Sequence, residues 1–177
     1  MIYETLTYAV DHNVAVITLN RPSVMNALNS QMRAEITDAV GQAGQAARVV
    51  VLTGSGRAFC SGQDLGAEGN FADIDLERTL KDEYVPMLKA ITECPVPTIS
   101  AVNGPAAGAG ANLALAADVV IAAESAYFVQ AFTRIGLIPD AGGTYLLPRQ
   151  MGLAKAMGAA LFADKIYARQ ASEMGMI

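Results

Sequence analysis

The pattern of apolar residues over the first third of the chain predicts two strands, a helix and a third strand. Side chains alternate over residues 5–10 and again over 14–19, with a turn at 11–13, which predicts a β-hairpin. From Ser30 the apolar residues follow helical spacing, at Met32, Ile36, Ala39, Val40 and Ala43. The apolar run 49–52 then predicts a buried strand that ends in a glycine-rich turn.

Short strands and longer helices continue to alternate along the rest of the chain. The predicted elements are a surface loop over residues 66–76, a helix over 76–91, a strand over 98–102, a helix over 107–117, a strand over 119–122 and a helix over 152–163. Pro95 and Pro97 end the first of these helices. This order predicts an α/β fold with a largely parallel sheet, built as one domain over residues 1–177.

Composition removes several classes of function. The chain has 12 Lys and Arg against 17 Asp and Glu, a net charge of −5, and no basic cluster with interleaved aromatics, so we expect no nucleic-acid surface. The most apolar stretch, 105–123, contains Asn112 and Asp118, and we expect no membrane span. Two cysteines without a CxxC pair and a start without signal-peptide features predict a cytoplasmic protein with reduced thiols.

The supply of histidine and cysteine limits the chemistry further. Structural zinc and similar metal sites need three or four such ligands, so one histidine and two cysteines predict no metal site. His12 lies in the hairpin turn, where we expect it to be exposed. Cys60 lies inside a glycine turn, where a small buried thiol is favoured over a reactive one.

Two glycine-rich segments can present main-chain N–H groups to a ligand. The first is Gly54-Ser-Gly-Arg-Ala-Phe-Cys-Ser-Gly-Gln-Asp-Leu65, which follows the buried strand 49–52. The second is the segment 103–115, where Gly108 and Gly110 lie at the start of a helix, suited to a developing oxyanion. The alternatives are a simple connecting loop for the first segment and close packing of helix on sheet for the second.

A third segment, 136–144, holds one carboxylate. Asp140 follows Leu-Ile-Pro and precedes Gly-Gly, and apolar surroundings raise a carboxyl pKa toward the range of a general base. The alternative is that Asp140 caps a helix that starts near Gly142. The two roles are not exclusive.

These three segments, together with 19–28, in this order, resemble the crotonase (enoyl-CoA hydratase/isomerase) superfamily; the matching pieces are residues 19–28, 51–65, 97–117 and 128–148. The resemblance implies a spiral of repeated ββα units, a homotrimer or dimer of trimers, and acyl-coenzyme A thioester ligands. It also implies that the main-chain N–H groups of Gln63 and Ala109 hold the thioester oxygen.

Further binding residues are expected beside these motifs, the apolar ones because their loops are adjacent to them. Those expected around the acyl group and its thioester are Ser61, Gly62, Asp64, Leu65, Gly108, Gly110 and Phe132, with Ile138 near the apolar part. Arg21 and Arg57 are expected to meet the nucleotide part of coenzyme A. No cofactor is implied beyond the coenzyme A that belongs to the substrate.

Departures from the hydratase pattern indicate an isomerase. The two glutamates of hydratases are replaced by Asn112 and Phe132, neither of which transfers protons, whereas Asp140 stands where hydratases carry a small residue. Residues 103–115 and 128–149 together look most like the ring-epoxide isomerases of phenylacetate breakdown, which convert 1,2-epoxyphenylacetyl-CoA to oxepin-CoA and shift double bonds in enoyl-CoAs. A hydratase-like lyase and a non-catalytic acyl-CoA-binding subunit stay open.

The length of the chain is short for this family. Its members typically continue for on the order of 80 further residues, as helices that cover the acyl pocket and help to form the trimer. The present sequence ends at Ile177, so we expect the C-terminal helical part to be missing from it.

Overall fold

The computed structural model describes residues 2–66 and 75–177. Its strands are β1 (Leu6–Asp11), β2 (Val14–Leu19), β3 (Val49–Gly54), β4 (Thr98–Val102), β5 (Ala106–Ala107), β6 (Val119–Ala122), β7 (Tyr127–Val129) and β8 (Ile166–Tyr167). Its α-helices are α1 (Ser30–Ala46), α2 (Leu76–Thr79), α3 (Val85–Thr92), α4 (Ala109–Leu115), α5 (Gly143–Met151), α6 (Leu153–Phe162) and α7 (Ala168–Met174).

The main sheet has the strand order β1-β2-β3-β4-β6. β1 and β2 form the predicted antiparallel hairpin, and every later pair in this sheet is parallel. Helix α1 covers β1, β2 and β3 on one face and packs against α3. Met32, Ile36 and Ala39 are fully buried there, which confirms the predicted apolar face of α1.

A second, smaller sheet has the order β5-β7-β8 and explains the repeating unit of the fold. The chain passes from β4 in the main sheet to β5 in the small sheet and then into α4. It repeats this path from β6 to β7, and a short 3-10 turn then leads toward α5. Two successive ββα units are therefore present, as the family resemblance implied.

Several predicted element bounds change. The helix predicted over 107–117 begins only at Ala109, because residues 106–107 pair with β7 as a short strand. The helix predicted over 76–91 is divided into α2, a π-helical turn at Leu80–Tyr84, and α3. Pro86 is the second residue of α3, just after this turn, and a proline has no N–H to continue the regular α-helical pattern.

The structure also bears on the predictions made for membrane spans, for His12 and for Cys60. None of the helices in the described residues is long and apolar enough to cross a membrane. His12 is exposed in the hairpin turn, where it contacts Asp11, and Cys60 is fully buried, both as predicted. Burial raises the pKa of the Cys60 thiol to about 12, so it stays protonated. Residues 67–74 of the predicted surface loop lie outside the described residues.

Candidate active site

A cavity of about 280 Å³ lies where the two glycine-rich segments meet the Asp140 segment. Leu65, Leu80, Phe132 and Leu137 contribute to its apolar wall. Its further lining residues are Ser61, Gly62, Gln63, Leu76, Thr79, Tyr84, Gly108, Ala109, Ala131, Arg134, Ile135 and Asp140. All three sequence segments with candidate chemistry therefore contribute to one cavity.

In the first glycine-rich segment, the N–H of Gln63 makes no hydrogen bond to the adjacent backbone at Leu28. The flanking groups are used, because the N–H of Leu28 donates to the Gly62 carbonyl (2.8 Å) and the N–H of Asp64 donates to the Leu28 carbonyl (3.1 Å). Gly62 has φ +94°, and an added Cβ would lie 2.8 Å from the carbonyl oxygen of Ala107. Only glycine suits this position.

The second glycine-rich segment places Ala109 as the first residue of α4. Gly108 precedes it with φ 52°, accepts the N–H of Ala111 (3.0 Å), and donates its own N–H to Val129 (2.8 Å). The N–H groups of a first helical turn have no partner within the helix. An added Cβ on Gly62 would lie 3.4 Å from the Ala109 nitrogen, so the two glycine turns are in direct contact.

The N–H groups of Gln63 and Ala109 are consequently available to a ligand. Within residues 2–66 and 75–177, neither donates to a protein acceptor. Two main-chain donors at one cavity, one of them at a helix N-terminus, are suited to an oxygen atom that gains negative charge.

Asp140 supplies the carboxylate of the cavity. Its main-chain carbonyl accepts hydrogen bonds from the N–H of Gly143 (2.8 Å) and from Nδ2 of Asn112 (2.8 Å). Its side-chain Oδ1 is buried and has no hydrogen-bond partner. Burial raises the pKa of the Asp140 carboxyl to about 6, while its own main-chain N–H opposes the shift.

The helix-cap alternative for Asp140 is wrong. Helix α5 begins after Gly142, and no side chain caps it. The Asp140 segment is held through its main chain instead, because the fully buried Asn112 is itself fixed by Nε2 of Gln130 (2.9 Å). The Asn112 side chain thus holds the loop that carries Asp140.

Some residues predicted to bind substrate lie outside the cavity. Asp64 is buried and forms an ion pair with Arg21 (2.7 Å), which gives the buried carboxylate a counter-charge. Arg57 is exposed, and Ile138 lies in a neighbouring apolar groove. The roles of Arg21 and Arg57 toward coenzyme A stay predictions.

Gly110 also lies outside the cavity and has a packing role. An added Cβ would overlap the carbonyl oxygen of Cys60 and lie 2.7 Å from its Sγ. The close packing of α4 on the first glycine-rich segment depends on this glycine. The alternative interpretation of the segment 103–115 expected close packing on the sheet, and here the partner is the glycine turn instead.

Replacing Gly110 with alanine is therefore expected to lower the free energy of unfolding by about 1–3 kcal/mol or more, because main-chain atoms must move. The matched control is Gly41→Ala, at an exposed site of α1 where an added Cβ meets nothing within 4 Å. There alanine is expected to stabilise the chain by about 0.5–1 kcal/mol. Urea unfolding of both variants measures the difference, and equal midpoints would contradict this account of Gly110.

Sequence reasoning missed a buried polar network behind Gln63. Arg33, which is fully buried, forms an ion pair with Glu83 (2.7 Å) and donates from Nη1 to Oε1 of Gln63 (2.8 Å). The Tyr84 hydroxyl donates to the same Oε1 (2.6 Å). A helical spacing of Leu76, Leu80 and Tyr84 was the available signal that this helix faces the cavity.

No group of three or more His, Cys, Asp or Glu side chains in the described part of the chain is arranged to hold a metal ion.

Comparison with known proteins gives the class of this chain. The family model for enoyl-CoA hydratase/isomerase matches residues 9–177, and the chain belongs to this family. The fold agrees, because an enoyl-CoA hydratase from Mycobacterium avium subsp. paratuberculosis superposes with a TM-score of 0.89 at 34% identity, over 99% of this chain and 68% of that one. The family and fold expected from the sequence are confirmed.

Two curated relatives are similar over nearly the whole chain. A Rhodobacter capsulatus protein named "Probable enoyl-CoA hydratase" is 64% identical, over 100% of this chain and 68% of the relative. The 1,2-epoxyphenylacetyl-CoA isomerase of Escherichia coli is 47% identical, over 95% of this chain and 66% of the relative. The chain spans about two thirds of the length of these relatives.

Proposed function

We propose that the chain is an acyl-CoA isomerase that shifts a carbon–carbon double bond or rearranges a ring epoxide. Asp140 acts as the acid/base, and the main-chain N–H groups of Gln63 and Ala109 hold the thioester oxygen. One observation carries the proposal: a half-buried carboxylate with a raised pKa, whose buried Oδ1 has no hydrogen-bond partner, lines the same cavity as two unpaired main-chain donors.

The proposed reaction on a 3-enoyl-CoA is a proton transfer in two steps. The Asp140 carboxylate removes a proton from C2, and the electron pair moves into the thioester carbonyl to give a dienolate. The N–H groups of Gln63 and Ala109 stabilise the negative oxygen as it forms. The protonated Asp140 then returns its proton to C4, the thioester carbonyl re-forms, and the double bond lies between C2 and C3.

Two residues favour isomerisation over hydration. Addition of water requires groups that activate it and deliver a proton, and the positions of the family glutamates hold Asn112 and Phe132. Asn112 is engaged by Asp140 and Gln130, and the Phe132 ring forms part of the apolar wall. The E. coli relative, an isomerase by name, supports the same choice, whereas the R. capsulatus relative is named a hydratase.

The same proposal includes the substrate, the assembly and the location of the protein. The substrate is 1,2-epoxyphenylacetyl-CoA or an enoyl-CoA, within phenylacetate catabolism or fatty acid metabolism, and the reaction needs no cofactor besides the coenzyme A of the thioester. The active assembly is a homotrimer or dimer of trimers in the cytoplasm.

The test is to incubate the chain with 3-enoyl-CoA, crotonyl-CoA and 1,2-epoxyphenylacetyl-CoA and to identify the products by mass and NMR. We expect a 2-enoyl-CoA from the first and oxepin-CoA from the last. A 3-hydroxyacyl-CoA from crotonyl-CoA would show a hydratase instead. Binding of the thioesters without any product would show a non-catalytic acyl-CoA-binding subunit.

The pH dependence of the rate follows from the buried carboxylate. Because Asp140 must be ionised to accept a proton, and burial raises its pKa to about 6, kcat/KM is expected to rise tenfold per pH unit below pH 6 and to level off above it. A profile with a 3-enoyl-CoA between about pH 4.5 and 8 measures this. A nearly flat profile over this range, as expected for an exposed aspartate with an ordinary pKa of about 4, would contradict the assignment.

A further inference from the structure

The side-chain amide of Gln63 is bonded at its oxygen and unpaired at its nitrogen. Oε1 accepts from Arg33 Nη1 (2.8 Å) and from the Tyr84 hydroxyl (2.6 Å), while Nε2 is buried and has no partner. A guanidinium only donates hydrogen bonds, so the amide atom that faces Arg33 has to be the oxygen. The nitrogen is therefore held as a buried donor.

A buried N–H group without an acceptor is unfavourable, and native proteins rarely retain one without a reason. Among the described residues that line the cavity, two have a buried polar side-chain atom without a partner: Nε2 of Gln63 and Oδ1 of Asp140. Proton transfer accounts for Asp140, and main-chain N–H groups serve the thioester oxygen. The donor on Gln63 has no role in that scheme.

We propose that Nε2 of Gln63 donates a hydrogen bond to an oxygen atom on the acyl part of the thioester. The chain then selects acyl groups that carry an ether, epoxide or carbonyl oxygen over hydrocarbon acyl groups of the same shape. A site with a buried donor rejects analogues without the matching acceptor, because the donor is left unpaired. This inference rests on the proposed function in taking an acyl-CoA thioester as the ligand.

The neighbours of Gln63 give the donor a defined position. Arg33 is fully buried and paired with Glu83, and its guanidinium lies 4.9 Å from the centre of the Tyr84 ring. The Gln63 amide is thus held from two sides, on α1 and on the π-helical turn. A donor held in this way loses little rotational freedom on binding, which favours selectivity.

The test compares ligands that cannot be isomerised. Dissociation constants are measured by calorimetry for hexanoyl-CoA and for three analogues in which an ether oxygen replaces carbon 3, 4 or 5. We expect at least one ether analogue to bind the unmodified chain about 10-fold more tightly than hexanoyl-CoA. In Gln63→Met, which has a similar length and no donor, this preference is expected to vanish.

A second variant, Gln63→Glu, controls for misfolding caused by loss of the acceptor for Arg33 and Tyr84. Gln63→Glu keeps an oxygen acceptor for Arg33 and Tyr84 but replaces the donor with another acceptor, so the ether preference should reverse. Three results would overturn the inference: an unmodified chain that binds no ether analogue more tightly than hexanoyl-CoA, a preference that survives either substitution, or an equal loss for all four ligands in Gln63→Met.

The binding test of Gln63 can fail or succeed independently of the test of isomerase activity. None of the four ligands reacts, so a failed ether preference leaves the role of Asp140 standing, and an inactive chain leaves the binding comparison standing. If no CoA ester binds at all, both proposals are overturned together.

Discussion

Replacing Asp140 with asparagine is expected to lower the rate of 3-enoyl-CoA isomerisation by about 10²- to 10⁴-fold, the range of a lost general acid/base. Asp140 is the only carboxylate among the cavity-lining residues that the structure describes. Asparagine has nearly the same shape but cannot accept the C2 proton. Steady-state kinetics with purified variants measures the loss, which should fall on kcat and leave KM nearly unchanged.

The matched control is Asp164→Asn, the same chemical change at an exposed position after α6. It should retain the activity of the unmodified chain, and both variants should bind a saturated acyl-CoA with similar dissociation constants. An Asp140→Asn variant that binds the thioester and turns it over at the original rate would contradict the proposed mechanism.

The stability of the Asp140→Asn variant has an expected sign as well. Burial raises the folded-state pKa of Asp140 above its unfolded value, so the stabilising contribution of the protonated group is present at low pH and is lost as the pH rises through about 6. At pH 8 asparagine removes a half-buried charge. The variant should therefore unfold at the same or a higher temperature, which separates lost chemistry from lost structure.

Local patterns were sufficient for the elements that bury one face within a short stretch of chain. The hairpin of β1 and β2 follows from alternation on either side of residues 11–13, and α1 follows from apolar residues at helical spacing. The first turn of α1 is also local, because the Asn29 side chain accepts the N–H of Met32 (2.9 Å).

Elements that depend on distant partners were not predicted. β7 and β8 have three and two residues, and they exist because β7 pairs with β5 on one side and with β8 on the other. Strands this short carry no usable alternation in the sequence. The same pairing shortens α4 from the predicted start at 107 to Ala109.

In the candidate site too, features set by local sequence were predicted, and features set by distant residues were not. Glycine turns and a carboxylate between apolar and glycine residues are visible in sequence, so the two glycine-rich segments and Asp140 were predicted from the residues. The family resemblance, and not the pattern, assigned the two N–H groups to Gln63 and Ala109. The support of Gln63 was not predicted, because Arg33 and Tyr84 lie 30 and 21 positions away. Besides the helical spacing of Leu76, Leu80 and Tyr84, a second signal was present: Arg33 precedes Ile36 by three positions and Val40 by seven, which places a charge on the apolar face of α1.

Replacing Ala109 with proline is expected to lower kcat by about 10²- to 10³-fold, the usual loss when one oxyanion donor is removed. Ala109 is the first residue of α4, where proline is well tolerated because the N–H has no helical partner there. The substitution thus removes the donor and keeps the course of the helix. The control Ala109→Ser retains the N–H and should lose far less activity.

The relation between kcat and binding separates the two ways in which proline could act. Loss of a donor that acts on the enolate lowers kcat with little effect on the binding of a saturated acyl-CoA, because the uncharged carbonyl gains less from the N–H. Obstruction by the proline ring would weaken binding by the same factor as the rate, and would contradict the role given to the Ala109 N–H.

Combining Ala109→Pro with Asp140→Asn tests whether the two groups act in one step. Removal of the C2 proton and charge development on the thioester oxygen occur together, so a donor has little to stabilise once the base is absent. The double variant is therefore expected to lose much less than the product of the two single losses, as for other catalytic groups that act as a unit. Fully multiplicative losses would place the Ala109 N–H and the Asp140 carboxylate in separate steps.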